Sequence, residues 1–207
     1  MRWKAVFWDF DGVILDSVNV KTEAFAQMFK QYGPEAEKAV VNYHLAHGGV
    51  SRYEKFRYYY EKILGFPITE DEVTHLGKVF SQLVLQKVID SPYVPGAKDA
   101  LELLKKEKVP CFVVSGTPED EMNHIIDAKS LRIFFEEVHG APRTKTIILK
   151  DVLARQKYHP KDCLYLGDAM TDYEAAISVG VFFHGIVSGD KDSPFPNNVR
   201  IAPKIFL

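Results

Sequence analysis

The chain has 207 residues, 46% of them hydrophobic, enough for one sizeable core and a smaller second one. Lys and Arg number 26 against 28 Asp and Glu, a formal charge of -2, so the chain offers nucleic acid no global basic field. No apolar run approaches membrane-spanning length, Asp9 and Asp11 come too early for a signal-peptide apolar region, and Cys111 and Cys163 each begin an apolar run, which together predict a soluble cytoplasmic protein with reduced core thiols.

Ala5 to Trp8 is an apolar run without alternation, as expected of a strand buried on both faces of a parallel sheet. Asp9-Phe10-Asp11-Gly12 follows at once. Two carboxylates at a strand end are costly to bury unpaired, so they point to a metal, a substrate or both, and Gly12 permits a sharp turn near a ligand. Ser17 is the predicted N-cap of a helix reaching Tyr32 and ended by Gly33-Pro34. Further helices are predicted over Glu35 to Ala46, Arg52 to Leu64 and Thr69 to Ile89, the last opened by a capping box of Thr69 and Glu72. Of the consecutive Tyr58, Tyr59 and Tyr60, one or two are expected in the core, because neighbours on a helix face different ways.

Pro92, Pro95 and Gly96 mark a change of texture. Strands are predicted at Pro110 to Ser115, Glu137 to Gly140, Cys163 to Gly167 and Val181 to Ile186. Helices fall at Ala97 to Lys108, Glu119 to Ala128, Thr144 to Tyr158 and Tyr173 to Val179. This alternation predicts an α/β fold, a Rossmann-like parallel sheet that needs Ala5 to Phe10 as well, with a helical domain inserted after the first strand. The predicted division is 1–16 and 92–207 for the core and 17–91 for the insertion. From Ser188 the tail is polar and Pro-rich, and Ile201 to Leu207 is expected to form a loosely packed end.

Ligands of open α/β sheets bind outside the carboxyl ends of the strands. There the sequence places Asp9 and Asp11, then Ser115-Gly116-Thr117, then Lys145 before a helix, then Gly167-Asp168 with Asp172 in the next helical turn. Hydroxyls and amides suit phosphoryl oxygens, and carboxylates without His or Cys suit Mg²⁺. Asp9 is a candidate nucleophile and Asp11 a candidate proton donor. Lys150 rivals Lys145, but Lys145 precedes the helix and so faces the strand ends.

With these four motifs in this order, D-F-D-G at Asp9 to Gly12, Ser115, Lys145 and G-D-x-x-x-D at Gly167 to Asp172, the chain resembles the haloacid dehalogenase (HAD) superfamily over residues 5 to about 186. Val13 departs from the Thr that many family phosphatases carry. The insertion resembles the C1-type cap of phosphoglycolate phosphatases and β-phosphoglucomutases. The resemblance implies a Mg²⁺-dependent phosphatase of a small phosphorylated metabolite, working through an aspartyl phosphate. Asp9 would be the nucleophile and Asp11 the general acid and then base. Asp9, the Asp11 carbonyl and Asp168 would hold Mg²⁺, with Asp172 supporting the metal shell or Lys145. Ser115, the Gly116 amide and Lys145 would bind the phosphoryl group. A phosphomutase on the same aspartyl phosphate is the alternative enzyme, and a non-catalytic binding module the alternative class; dehalogenation is disfavoured by the acid at Asp11. In the insertion, His47-Gly48-Gly49-Val50-Ser51-Arg52 is the expected substrate loop. Gly49 would permit close approach, and Arg52 would grip a carboxylate or second phosphate of the leaving group.

Overall fold

The strands are short, and none can bury both faces alone. The computed structural model describes residues 2–187 and 192–205. β1 (Ala5–Trp8) lies between β2 (Cys111–Pro118) and β4 (Cys163–Gly167). β3 (Glu137–Ala141) pairs outside β2, while β5 (Phe182–Ile186) and β6 (Ile201–Ala202) extend the other side. Every pairing is parallel, giving the order β3-β2-β1-β4-β5-β6. The chain winds outward from β1 to β3, then restarts on the opposite side at β4. That reversal makes the tip of β1 the switch point where such sheets open a crevice.

The period-two side-chain alternation of β1 feeds two cores. Val6 and Trp8 join one with α1 (Val18–Phe29), α4 (Glu70–Asp90), α5 (Ala97–Lys106) and α6 (Glu119–Ala128). Ala5 and Phe7 face the other, against α7 (Lys145–Gln156) and α8 (Met170–Val179). All four are fully buried, which explains the absence of alternation in the sequence; full burial of Val6 and Phe7 contributes about 1.5–3 kcal/mol each. Cys111 and Cys163 are free and buried.

Between β1 and β2 the insertion packs α1 and α4 with α2 (Pro34–Ala46) and α3 (Arg52–Tyr58). Its centre is aromatic: Phe25 meets Phe80 at 4.4 Å and Tyr59 edge-on at 5.5 Å. The predicted single helix from Arg52 to Leu64 instead widens at Tyr59 into a π-helical stretch, Tyr59–Leu64, closed by Gly65 at φ 72. The three tyrosines there find separate partners. Tyr58 stacks on Tyr43 at 3.8 Å, Tyr59 is buried, and Tyr60 shares a 2.8 Å hydroxyl contact with Tyr32. The Thr69–Glu72 capping box forms as expected: Glu72 N–H donates to Thr69 Oγ1 at 3.3 Å and Thr69 N–H to Glu72 Oε2 at 2.8 Å.

The expectation of a loosely packed end at Ile201 to Leu207 is overturned over its described residues, 201–205. β6 covers the exposed edge of β5, pairing Gly185 with Ile201 and Ile186 with Ala202. Phe195 packs on Phe183 at 5.1 Å, and buried Ile205 donates its N–H to the Pro95 carbonyl at 3.0 Å. A few large apolar residues in a polar stretch suffice to anchor it. Residues 188–191 and 206–207 of the tail lie outside the described residues.

Candidate active site

Backbone register assembles the site before any side chain acts. Trp8 stands opposite Val113 on one side and Leu166 on the other, so Ser115 and Asp168 each follow one residue past the level of Asp9. The Asp9 N–H donates to the Leu166 carbonyl at 2.9 Å, fixing the β1 tip against β4. Gly12 turns the chain at φ 79, and a Cβ there would lie 2.2 Å from Asp168 Oδ2; only glycine lets Asp168 come this close.

Lys145, at the start of α7, is buried between two carboxylates. Its Nζ lies 3.1 Å from Asp9 Oδ1 and donates to Asp172 Oδ1 at 2.6 Å. Asp172 is further held by the Tyr165 hydroxyl at 2.7 Å and the Ala169 N–H at 3.1 Å. Burial opposes the Lys145 charge, yet Asp172 and Asp9 raise its pKa above the ordinary lysine value. Lys150 is exposed on α7, so Lys145 is the lysine that reaches the strand ends.

Asp9, Asp168 and Asp172 each bring one oxygen within 4.8 Å of the others. Such crowding is unfavourable without a cation. Burial first, then Asp172, pushes Asp9 up to about 7 despite Lys145. Burial, then Asp9 and Asp172, holds Asp168 well above the usual carboxylate range. An all-oxygen set under mutual repulsion fits a hard divalent cation. Both Asp172 oxygens already accept hydrogen bonds, so it supports Lys145 and the turn, while Asp9 and Asp168 keep ligand capacity.

Asp11 sits in a different environment. The Ser17 hydroxyl donates to its Oδ1 at 2.6 Å, Thr117 to Oδ2 at 3.2 Å, and the Lys21 ammonium to Oδ2 as well. Burial pushes Asp11 upward, but the Lys21 charge and these hydrogen bonds outweigh it and hold the carboxyl below its usual value. Asp9 and Asp11, two residues apart, are thus driven in opposite directions.

Above these residues lies a cavity of about 710 Å³, lined by Asp9, Asp11, Ser115, Gly116 and Asp168 on the sheet side and by Phe25, His44, Gly49, Lys55 and Phe80 from the insertion. That volume suits a small metabolite. The Gly48-Gly49 loop closes onto the sheet: Thr171 Oγ1 donates to the Gly48 carbonyl at 3.0 Å. A Cβ on Gly49 would lie 2.0 Å from Thr171 Oγ1 and 3.1 Å from Lys145 Nζ.

Residues 3–180 match the family model described as haloacid dehalogenase-like hydrolase. The chain belongs to that family. The hydrolase is 27% identical over 184 residues to phosphoglycolate phosphatase 1 of Pseudomonas aeruginosa, covering 86% of this chain and 67% of that protein. It is 25% identical over 212 residues to a phosphorylated carbohydrates phosphatase of Thermotoga maritima, covering 91% of this chain and 88% of that one. A β-phosphoglucomutase structure from Clostridium difficile superposes with a TM-score of 0.74 at 17% identity, covering 89% of this chain and 85% of that one. This last likeness is one of fold.

The hydrolase corrects the expectation for Arg52. Its guanidinium grips Glu121 of α6 in a bidentate pair, NH1 to Oε2 at 2.8 Å and NH2 to Oε1 at 2.7 Å. NH1 also donates to Ser81 of α4 at 2.8 Å, and the group lies 4.6 Å from the Phe80 ring centre. The fork expected to receive a substrate carboxylate is filled by a carboxylate of the protein. Ser17 holds the N-cap position of α1 as expected, but its side chain makes no capping bond and gives its hydroxyl to Asp11. Lys21, Tyr165 and Lys55 were not legible as site residues. A lysine on an amphipathic helix carries no distinguishing signal, whereas Tyr165 left one, a hydroxyl inside the otherwise apolar C-L-Y-L-G strand.

Proposed function

We propose that the protein is a Mg²⁺-dependent phosphatase of small phosphomonoesters, with residues 17–91 forming a cap domain over a core of residues 1–16 and 92–207. The observation that carries this reading is the burial of Lys145 between Asp172 and Asp9, the latter lining the cavity. It supplies an oriented carboxylate nucleophile and a fixed positive charge where a phosphoryl group would bind. The phosphatase names of the relatives support the same reading.

Asp9 attacks phosphorus, the bond to the leaving oxygen breaks, and that oxygen takes a proton from Asp11. Water then attacks the aspartyl phosphate, giving its proton to Asp11 and releasing phosphate and free Asp9. Asp11 as held by Lys21, Ser17 and Thr117 rests ionised, the form needed for the second half; for the first half it takes up the proton that the ester brings as its monoanion and passes it to the leaving oxygen. Ser115 and the Gly116 amide bind phosphoryl oxygens, and Lys145 keeps Asp9 oriented and offsets the accumulating charge. Mg²⁺ would be held by Asp9, Asp168 and the Asp11 carbonyl and would neutralise charge shared by nucleophile and phosphoryl group. The loop at Gly49, seated on Gly116 and Thr171, would keep bulk water out during transfer.

The test is release of phosphate from p-nitrophenyl phosphate with Mg²⁺ and with EDTA, in wild type and Asp9→Asn. Turnover should need the metal and fall by several orders of magnitude in the variant. Near-normal turnover by Asp9→Asn refutes the covalent route. Recovery of an isomeric phosphate ester in place of free phosphate would identify a mutase.

A further inference from the structure

Among the described residues, three cationic side chains line the cavity: Lys21, Arg52 and Lys55. Two are already neutralised, Lys21 by Asp11 and Arg52 by Glu121. Lys55 is different. It is 2% exposed, and among the described residues no carboxylate lies within ion-pair distance. Its hydrogen-bond partner is His44 Nδ1 at 2.8 Å, a neutral acceptor when the ring proton sits on Nε2, and its ammonium lies 5.7 Å from the Phe25 ring centre.

A buried ammonium with one neutral acceptor is expensive. Burial, then repulsion from Lys21 and Lys145, lowers Lys55 to about 7, with distant Asp168 only partly offsetting this. His44 cannot share the charge, since burial, then Lys55 and Lys21, bring it down to about 3. An anion delivered into the cavity would remove the penalty. The phosphoryl group itself is placed at Asp9 and Ser115, on the sheet side, so the anion facing Lys55 belongs to the other end of the substrate.

Resting on the phosphatase reading, we propose that Lys55, positioned by His44, selects phosphomonoesters whose leaving alcohol carries a second anionic group, a carboxylate or another phosphate. Phe25 and Phe80 line the cavity with Lys55, and among the described residues Lys55 is the lining cation without a carboxylate partner, so a neutral alcohol gains no ion pair from it. The role anticipated for Arg52 passes to a lysine one turn further along α3.

The test compares three esters of one skeleton: 2-phosphoglycolate, ethane-1,2-diyl bisphosphate and 2-hydroxyethyl phosphate. The readout is the ratio of kcat/KM for each anionic ester to that of the neutral one, in which general effects on folding or chemistry divide out. Wild type should show a ratio of roughly 10 to 150 for at least one anionic ester, the range for a single charge-assisted hydrogen bond. The larger of the two ratios tells carboxylate from phosphate. Lys55→Met should bring that ratio to within about threefold of unity, and Lys55→Arg should keep much of it. A wild-type ratio near one, or a ratio unchanged in Lys55→Met, overturns the proposal. The same ratios measured as dissociation constants on the Asp9→Asn protein separate the two readings. Selective binding without turnover by wild type would refute the phosphatase and uphold Lys55, whereas unselective binding with good turnover would do the reverse.

Discussion

Removing Glu121 should unsettle the whole molecule, although it lies outside the phosphoryl chemistry. Its side chain and that of Arg52 are 7% and 4% exposed, so the pair is a buried one and escapes most solvent screening. Glu121→Ala leaves the Arg52 guanidinium buried beside Phe80 with only Ser81 to accept from it. Breaking one side of such a pair costs about 3–5 kcal/mol. At about 2–4 °C per kcal/mol for a chain of this size, the melting temperature should fall by about 6–20 °C. Replacing both partners with apolar residues, Arg52→Met with Glu121→Leu, removes the stranded charge and should recover most of that loss, giving a large coupling energy in a double-mutant cycle. Urea denaturation followed by circular dichroism measures wild type, Glu121→Ala, the single variants Arg52→Met and Glu121→Leu, and the double variant. A loss under about 1 kcal/mol for Glu121→Ala, the range of solvated pairs, would refute the reasoning. Because the pair ties α3 and α4 to α6, Arg52→Ala should depress turnover of every ester alike, the opposite of a specificity residue.

Asp9, raised from 3.8 to about 7, binds its proton more tightly folded than unfolded, so stability should fall as pH rises from about 4 to 7. Asp9→Asn should flatten that slope, and Mg²⁺ should raise the wild-type melting temperature more at pH 8 than at pH 5, an increment lost in Asp168→Asn; equal metal effects at both pH values would contradict this. Lys21→Gln removes the charge that holds Asp11 low, so the limb of the pH–kcat/KM profile belonging to Asp11 should move to higher pH, and an unmoved limb would sever the link. Gly49→Ala forces a Cβ into Thr171 and Lys145 at a left-handed backbone position; kcat/KM should drop at least tenfold with little change in melting temperature, and normal kinetics would mean the loop does not seat during turnover.

Local physics made much of this protein legible from its residues. The doubly buried β1, the alternation of strands and helices after Gly96, and the capping box at Thr69 each announce themselves within a few neighbours. So do the carboxylates of Asp9, Asp11, Asp168 and Asp172, because charge at the end of an apolar strand has few structural uses. Tertiary structure alone decided the partners of the long cations. Arg52 sits in the predicted loop, yet Glu121, 69 positions along the chain, reaches it first; Lys21 and Lys55 look like ordinary helical lysines until folding sets one on Asp11 and strands the other beside His44. The tail likewise reads as polar until the open edge of β5 receives Ile201 and Ala202. A strand or a cap is specified by neighbours a few residues away, whereas a flexible four-carbon side chain is specified by whichever opposite charge the completed fold brings within about 3 Å.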